Sequence, residues 1–136
     1  MKVKLSNGYM PERAHTTDAG ADLKTPYDVT VMPKESVVID TGVHIELPPN
    51  TMGVLKSKSG LNVKHGIVTI DGVIDVGYVG SVAVKLFNHS DKPYEFKKGD
   101  KISQLVIVPI LIPSFELVDE LEDTERGEKG FGSSGR

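Results

Sequence analysis

The chain contains no cysteine and no tryptophan. Without a thiol there is no disulfide framework, no thiolate metal site and no cysteine nucleophile, and a reducing compartment is acceptable. Aromatic residues make up only 6% of the sequence, so a core has to be built from Val, Ile and Leu. No apolar run approaches the roughly 20 residues needed to span a bilayer, and no membrane association is expected. The opening Met1-Lys2-Val3-Lys4-Leu5 passes straight into Ser6-Asn7-Gly8 and lacks the apolar centre of a secretory leader. The expected location is therefore cytoplasmic. A net charge of −3 gives no whole-chain argument for binding a nucleic-acid polyanion. Helical periodicity is scarce too. At 136 residues the chain is one domain, long enough for an ordinary hydrophobic core.

What is present is strand periodicity. Val43, Ile45 and Leu47 alternate with His44 and Glu46, and Val82, Val84 and Leu86 alternate with Ala83 and Lys85. A two-residue period marks half-buried strands. Val37-Val38-Ile39, Ile67-Val68-Thr69-Ile70 and Leu105-Val106-Ile107-Val108 are short β-branched runs, read as more deeply buried strands. Turn chemistry separates these runs at Met32-Pro33-Lys34, Pro48-Pro49-Asn50, Asn88 to Pro93 and Lys98-Gly99-Asp100. Many short strands with regular turns predict an all-β sandwich or jelly-roll-like β-barrel. One short helix is predicted over Ser59–Gly66, with Ser59 as its N-cap and Gly66 as its stop. From about Asp119 the sequence becomes acidic and then glycine-rich, a domain edge followed by a mobile arm. The division expected is 1–122 for the β domain and 123–136 for the C-terminal arm. Pro109-Ile110-Leu111-Ile112-Pro113 fits an edge strand covered by another subunit and an internal strand equally well.

Five polar, glycine-marked segments interrupt the apolar pattern. Asp22 sits between Ala21 and Leu23 at the apparent start of a strand. It is either a solvated strand-end residue or a carboxylate for Mg²⁺, directly or through water. In Lys56-Ser57-Lys58-Ser59-Gly60, two lysines share a strand face beside the free N–H groups of the short helix. That is a capped turn or a phosphate site. In Gly72-Val73-Ile74-Asp75-Val76-Gly77-Tyr78, the apolar flanks predict a partly buried Asp75. It would close a turn or hold a water as general base, and Tyr78 would fill the core or offer a flat face to a sugar. Gln104 is a lone amide before a buried run, a backbone partner or a ligand group. The last segment, Arg126 to Arg136, mixes glycines, cations, two hydroxyls and Phe131. Such a tail is either disordered or a flap with the chemistry to close over a nucleotide.

The joint order of these segments is far more specific than any one of them. Ala19-Gly20-Ala21-Asp22-Leu23, Ser57-Lys58-Ser59-Gly60-Leu61 with Lys64-His65-Gly66, Gly72-Val73-Ile74-Asp75 with Tyr78 and Gly80, Gly99 through Leu105, and Arg126-Gly127 through Gly135 resemble the five motifs of the homotrimeric dUTPase family. The resemblance spans roughly residues 18–135. It implies a jelly-roll-like trimer with active sites at subunit boundaries, each drawing motifs from more than one chain. Asp75 would activate the water that attacks the α-phosphorus of dUTP, giving dUMP and pyrophosphate. That reaction limits uracil incorporation into DNA and supplies dUMP for thymidylate synthesis. Tyr78 would pack on the deoxyribose and leave no room for a 2′-hydroxyl. Backbone groups of Gly72, Val73 and Ile74 would read the uracil edge. Lys58, Ser59, Gly60 and Gln104 would bind phosphates. Asp22 would reach Mg²⁺ through water, the metal being chelated by the triphosphate. From a neighbouring chain, Phe131 would stack on uracil while Arg126, Gly132, Ser133 and Ser134 close on the outer phosphates.

The chain departs from the family pattern in places. Lys58 stands where Arg is usual, keeping the charge without the bidentate fork. Val79 replaces a usual Arg or Gln, removing an inter-subunit polar contact. Ile70-Asp71 replaces smaller residues, and Lys129 replaces a tail glycine. A deaminase class acting on dCTP shares this fold, but the complete fifth motif favours dUTP hydrolysis. A regulatory nucleotide binder without turnover is disfavoured by Asp75 and by the lack of a large insertion.

Overall fold

The structure is a computed structural model that describes residues 1–135. Eleven strands and one helix follow in chain order. They are β1 (Val3–Leu5), β2 (Gly20–Lys24), β3 (Val29–Val31), β4 (Ser36–Asp40), β5 (Val43–Ile45), β6 (Thr51–Lys56), α1 (Ser59–His65), β7 (Ile67–Thr69), β8 (Gly72–Ile74), β9 (Ala83–Asn88), β10 (Tyr94–Phe96) and β11 (Lys101–Pro109). All pairings are antiparallel. The strands form four sheets, ordered β1-β5, β10-β3, β2-β11-β6-β8 and β4-β9-β7. The all-β, jelly-roll-like expectation holds, although the sheets do not join into one continuous closed barrel. Among the described residues no helix is long and apolar enough to cross a membrane.

Local sequence explains the turns. Lys34 and Asn50 both take positive φ, 59° and 57°, at the two Pro-containing turns expected from sequence. Asparagine tolerates that region because its short amide bonds locally. The core is aliphatic, as the shortage of aromatics requires. Leu23, Ile39, Val43, Val84, Leu86 and Ile102 are essentially inaccessible, with Phe96 the one large ring among them. Each such side chain contributes about 1.5–3 kcal/mol through its removal from water. Alternation in β5 and β9 places Val43, Ile45, Val84 and Leu86 inward as expected. β4 is less buried than its β-branched run suggested, because Val38 is 63% exposed while its neighbour Ile39 points into the core.

Helix α1 is the predicted helix with a different start. Its N-cap is Lys58, held extended at φ −79° and ψ 126°, with no side-chain cap. Ser59 is already the first helical residue. The expected stop is correct, since Gly66 adopts φ 68° and returns its N–H to Asn62. At the other end β11 stops at Pro109, and Ile110–Pro113 form no strand. Every residue from 111 to 135 is exposed and outside any helix or strand. Leu111, Phe115 and Leu117 are more than nine-tenths exposed. Glycine at position 80 is required by contact. A Cβ there would lie 2.6 Å from Cζ of Tyr78, so the hydroxyl end of the ring rests against that residue.

Candidate active site

The four-stranded sheet brings three of the five segments into one row. Gln104 of β11 pairs with Asp22 of β2 on one side and with Lys56 of β6 on the other. Directly opposed residues share a face, so Asp22, Gln104 and Lys56 project together. The adjacent row, Ala21, Leu105 and Leu55, points into the core.

Asp22 is neither solvated nor at a strand end. It is the third residue of β2 and is 4% exposed. Its carboxylate accepts from Lys58 Nζ on one oxygen and from Lys101 Nζ, at 2.8 Å, on the other. Burial opposes ionisation, but the hydrogen bonds and charges of the two lysines outweigh it. The carboxyl is held below its ordinary value of 3.8. The same contact raises Lys101. Nothing in the sequence marks Lys101 for this contact, and the strand period misplaces it. Three residues separate it from Gln104, which in a regular strand means opposite faces. A β-bulge at Ile102 shifts the register so that Lys101 opposes Lys24 while Ser103 opposes Leu23. The extra residue returns Lys101 to the face of Asp22 and Gln104.

Gln104 donates from Nε2 to the carbonyl of Ser57 at 2.9 Å. The backbone-partner reading of this amide is thus realised, and one amide hydrogen remains for a ligand. Its side chain crosses Gly20, where a Cβ would meet Cδ at 2.8 Å. Ser57 also accepts from Thr69 N–H at 2.9 Å. Ser103 donates to the carbonyl of Lys56 at 2.9 Å and lies 2.9 Å from the Thr69 hydroxyl. These bonds fix the chain where β6 leaves the sheet and enters α1, which sets the position of Ser59 and Gly60.

A second constellation lies at the edge of the same sheet. β8 pairs only with β6 and is an edge strand. It borders a slot of about 280 Å³ lined by Gly72, Val73, Ile74, Asp75 and Tyr78, closed by the start of β9. Asp75 is exposed on this chain, not partly buried as its apolar neighbours suggested. It ends β8, and its carbonyl accepts from Tyr78 N–H at 3.2 Å in a turn. Tyr78 is not a core residue. It is 49% exposed, and its hydroxyl donates to Ser81 O at 3.0 Å.

The third constellation is the arm. Gly127 N–H donates to Thr124 Oγ1 at 3.0 Å, and Arg126 Nε donates to the Lys129 carbonyl at 2.9 Å. These turns make a concave surface lined by Thr124, Glu125, Arg126, Lys129, Ser133 and Ser134. Phe131 projects fully into solvent. Arg136 lies outside the described residues.

The slot at β8 and the concave surface of the arm share no lining residue, and neither is lined by Asp22, Gln104 or Lys56. No group of three or more His, Cys, Asp or Glu residues able to hold a metal occurs among the described residues. Asp22, the carboxylate assigned to a metal, is already neutralised by two ammonium groups.

The fold and this site define a jelly-roll-like β protein with a slot at a sheet edge and an exposed glycine-rich arm that carries Arg126 and Lys129. More narrowly, the dUTPase family model matches residues 6–135, and the chain belongs to that family. It is 44% identical to the deoxyuridine 5'-triphosphate nucleotidohydrolase of Mus musculus, over 98% of this chain and 83% of that one. It is 40% identical to the protein of the same name from Clostridium tetani, over 100% and 97%. Among solved structures, Staphylococcus bacteriophage 80alpha dUTPase with dUPNHPP superposes with a TM-score of 0.92 at 38% identity, covering 99% of this chain and 98% of that one. A mutant dUTPase from phage phi11 of S. aureus, described for its coordination of a structural Mg(II) ion, superposes with a TM-score of 0.83 at 33% identity, over 90% and 98%.

Proposed function

We propose that this chain hydrolyses dUTP to dUMP and pyrophosphate as a homotrimer. The observation that carries this is the slot at β8. One cavity joins an unpaired strand edge, a carboxylate and a flat aromatic ring. An edge strand offers backbone N–H and C=O groups in a fixed pattern, which suits the donor and acceptor edge of uracil. Tyr78 packs on the deoxyribose and excludes a 2′-hydroxyl. Asp75 takes a proton from a water as that water's oxygen bonds to the α-phosphorus. The bond between the α-phosphorus and the bridging oxygen breaks, and pyrophosphate leaves. Positioning and charge neutralisation account for most of the acceleration of such a reaction.

Phosphate binding falls to the second and third constellations. Ser59 and Gly60 present the free N–H groups of the first turn of α1. Gln104 offers its remaining amide hydrogen, and Lys58 its charge. Arg126, Gly132, Ser133 and Ser134 close on the outer phosphates, with Phe131 on the base. No one chain assembles these groups, which supports a site completed by neighbouring copies. The exposed Leu111, Phe115 and Leu117 then find cover on the next subunit.

Magnesium fits this chain only in a limited way. It prefers hard oxygens and keeps several waters, and Asp22 offers one carboxylate already bound to two lysines. The polyphosphate oxygens must supply the direct ligands, with Asp22 contributing through water. Bound there, the ion would neutralise charge on the phosphates.

The test is pyrophosphate release from dUTP with Mg²⁺, beside dCTP, dTTP and UTP. Selective release from dUTP supports the base slot and the sugar check together. Binding of dUTP without release would replace the enzyme with a nucleotide-sensing protein.

A further inference from the structure

The turn that carries Tyr78 is tethered from outside as well as from within. Val79 is 64% exposed and offers no polar group where the family usually has one. Its backbone is nevertheless fixed. His44, on β5, places Nδ1 2.8 Å from the carbonyl of Val79. A carbonyl only accepts, so Nδ1 carries the proton. Nε2 lies 3.1 Å from the hydroxyl of Ser6, which donates to it when the ring is neutral. Both ring nitrogens are thus engaged, and the ring is clamped between β5, the segment after β1 and the turn. Two further bonds finish the tether. The Tyr78 hydroxyl donates to the carbonyl of Ser81, and the Ser81 hydroxyl donates to Asp40 at the end of β4.

We propose that His44 is a positioning residue for sugar selection: its Nδ1–H holds the Val79 carbonyl and so keeps the Tyr78 ring where it meets the ribose. This rests on the dUTP reading above. The logic is one of leverage. The Tyr78 ring is half exposed and lies over Gly80, so nothing packs against its outer side. Its plane is set by the backbone on which it stands and by the bond of its hydroxyl to Ser81 O. Release of the Val79 carbonyl frees the Val79–Gly80 peptide, against which the Tyr78 ring rests, and small displacements at a positioning surface have large effects on reactivity. His44 touches neither Asp75 nor the slot, so it acts through the turn alone.

Two amide substitutions separate the two ring nitrogens. In His44→Asn the side-chain N–H₂ stands near the place of Nδ1 and still reaches the Val79 carbonyl. In His44→Gln it stands near Nε2, reaches toward Ser6 and leaves Val79 unbonded. Both are polar and similar in size, so both are expected to fold, which thermal unfolding checks. The readout is the ratio of kcat/KM for dUTP to that for UTP with Mg²⁺. Loss of one net hydrogen bond predicts a roughly five- to tenfold fall in that ratio for His44→Gln, mostly through a raised KM for dUTP. His44→Asn should remain within about twofold of the unaltered protein. An unchanged ratio in His44→Gln, or an equal fall in both variants, overturns the assignment. Failure of the unaltered protein to hydrolyse dUTP would instead sink the reading on which it rests.

Discussion

Substitution of Gly20 by alanine tests how the phosphate-side row is built. Gly20 lies on β2 beside Val106 of β11, and the side chain of Gln104 crosses the space where a Cβ would be. An added methyl would lie 2.8 Å from Cδ and 3.1 Å from Cβ of Gln104, with Oε1 nearer still. The amide has to retreat by about 1 Å to reach ordinary van der Waals separation. That movement breaks its 2.9 Å bond to Ser57. Loss of the bond costs about 0.5–1.5 kcal/mol. Strain adds about 1 kcal/mol, the low end of overpacking, because most of the clash is with the flexible end of the side chain. Together they lower Tm by roughly 2–5 °C per kcal/mol for a domain of this size. Activity should suffer more, because a displaced ligand group costs on the order of tenfold to a hundredfold in kcat/KM. The assay is thermal unfolding beside pyrophosphate release from dUTP, repeated in Gln104→Ala. If the amide is the cause, Gly20→Ala adds little once Gln104 is gone, a non-additivity expected of residues in contact. Fully additive effects, or wild-type Tm and turnover in Gly20→Ala, would refute the seating of Gln104 across Gly20.

Asp75→Asn should keep the fold and bind a non-hydrolysable dUTP analogue while turnover falls by about 10²–10⁴; calorimetry and pyrophosphate release check this, and retained turnover removes Asp75 as the base. Deletion of residues 126–136 should leave the circular dichroism and oligomeric mass unchanged but cripple kcat/KM, and an active truncation would make the arm a dispensable tail. Phe115→Glu with Leu117→Glu should lower the mass measured by light scattering, since both rings and branches face water on an isolated chain. The depressed Asp22 carboxyl contributes stability that is complete above its ordinary value of 3.8 and is lost as pH falls through its lower folded value. Asp22→Asn should therefore flatten the acid limb of a Tm-versus-pH curve, and an unchanged limb would mean that the two lysines contribute nothing there.

Much of this architecture was legible in the sequence because burial alternates with the strand period. Val43, Ile45, Val84 and Leu86 declare their faces without help from the rest of the chain. The order of the five segments was equally legible, and it led to the family. What stayed hidden depended on contacts between distant residues or on breaks in the period. Ser59 reads as the N-cap, yet Lys58 takes that place with an extended backbone and a side chain turned to Asp22 in place of a cap. The Lys101 partner was masked by one extra residue in β11. Asp75 reads as partly buried from its Val and Ile neighbours, but it stands where the chain leaves the sheet. His44 looks like a polar member of an alternating strand, and only the approach of a turn 35 residues later gives it a partner. The convergence of slot, row and arm was implied by family resemblance alone, and one chain does not display it.

The bulge at Ile102 has a further consequence. It divides β11 into two reading frames joined in series, much as an inserted nucleotide divides a message. On the far side of it, Leu105 keeps its place in the core. On the near side, Lys101 keeps its place beside Asp22. Deletion of Ile102 would leave Lys101 opposite Lys24 and Ser103 opposite Leu23, so both frames would survive and the loss would be the buried Ile102 side chain itself. The surplus residue therefore serves packing: the strand adds one aliphatic side chain to the core while Lys101 and Leu105 both keep their faces.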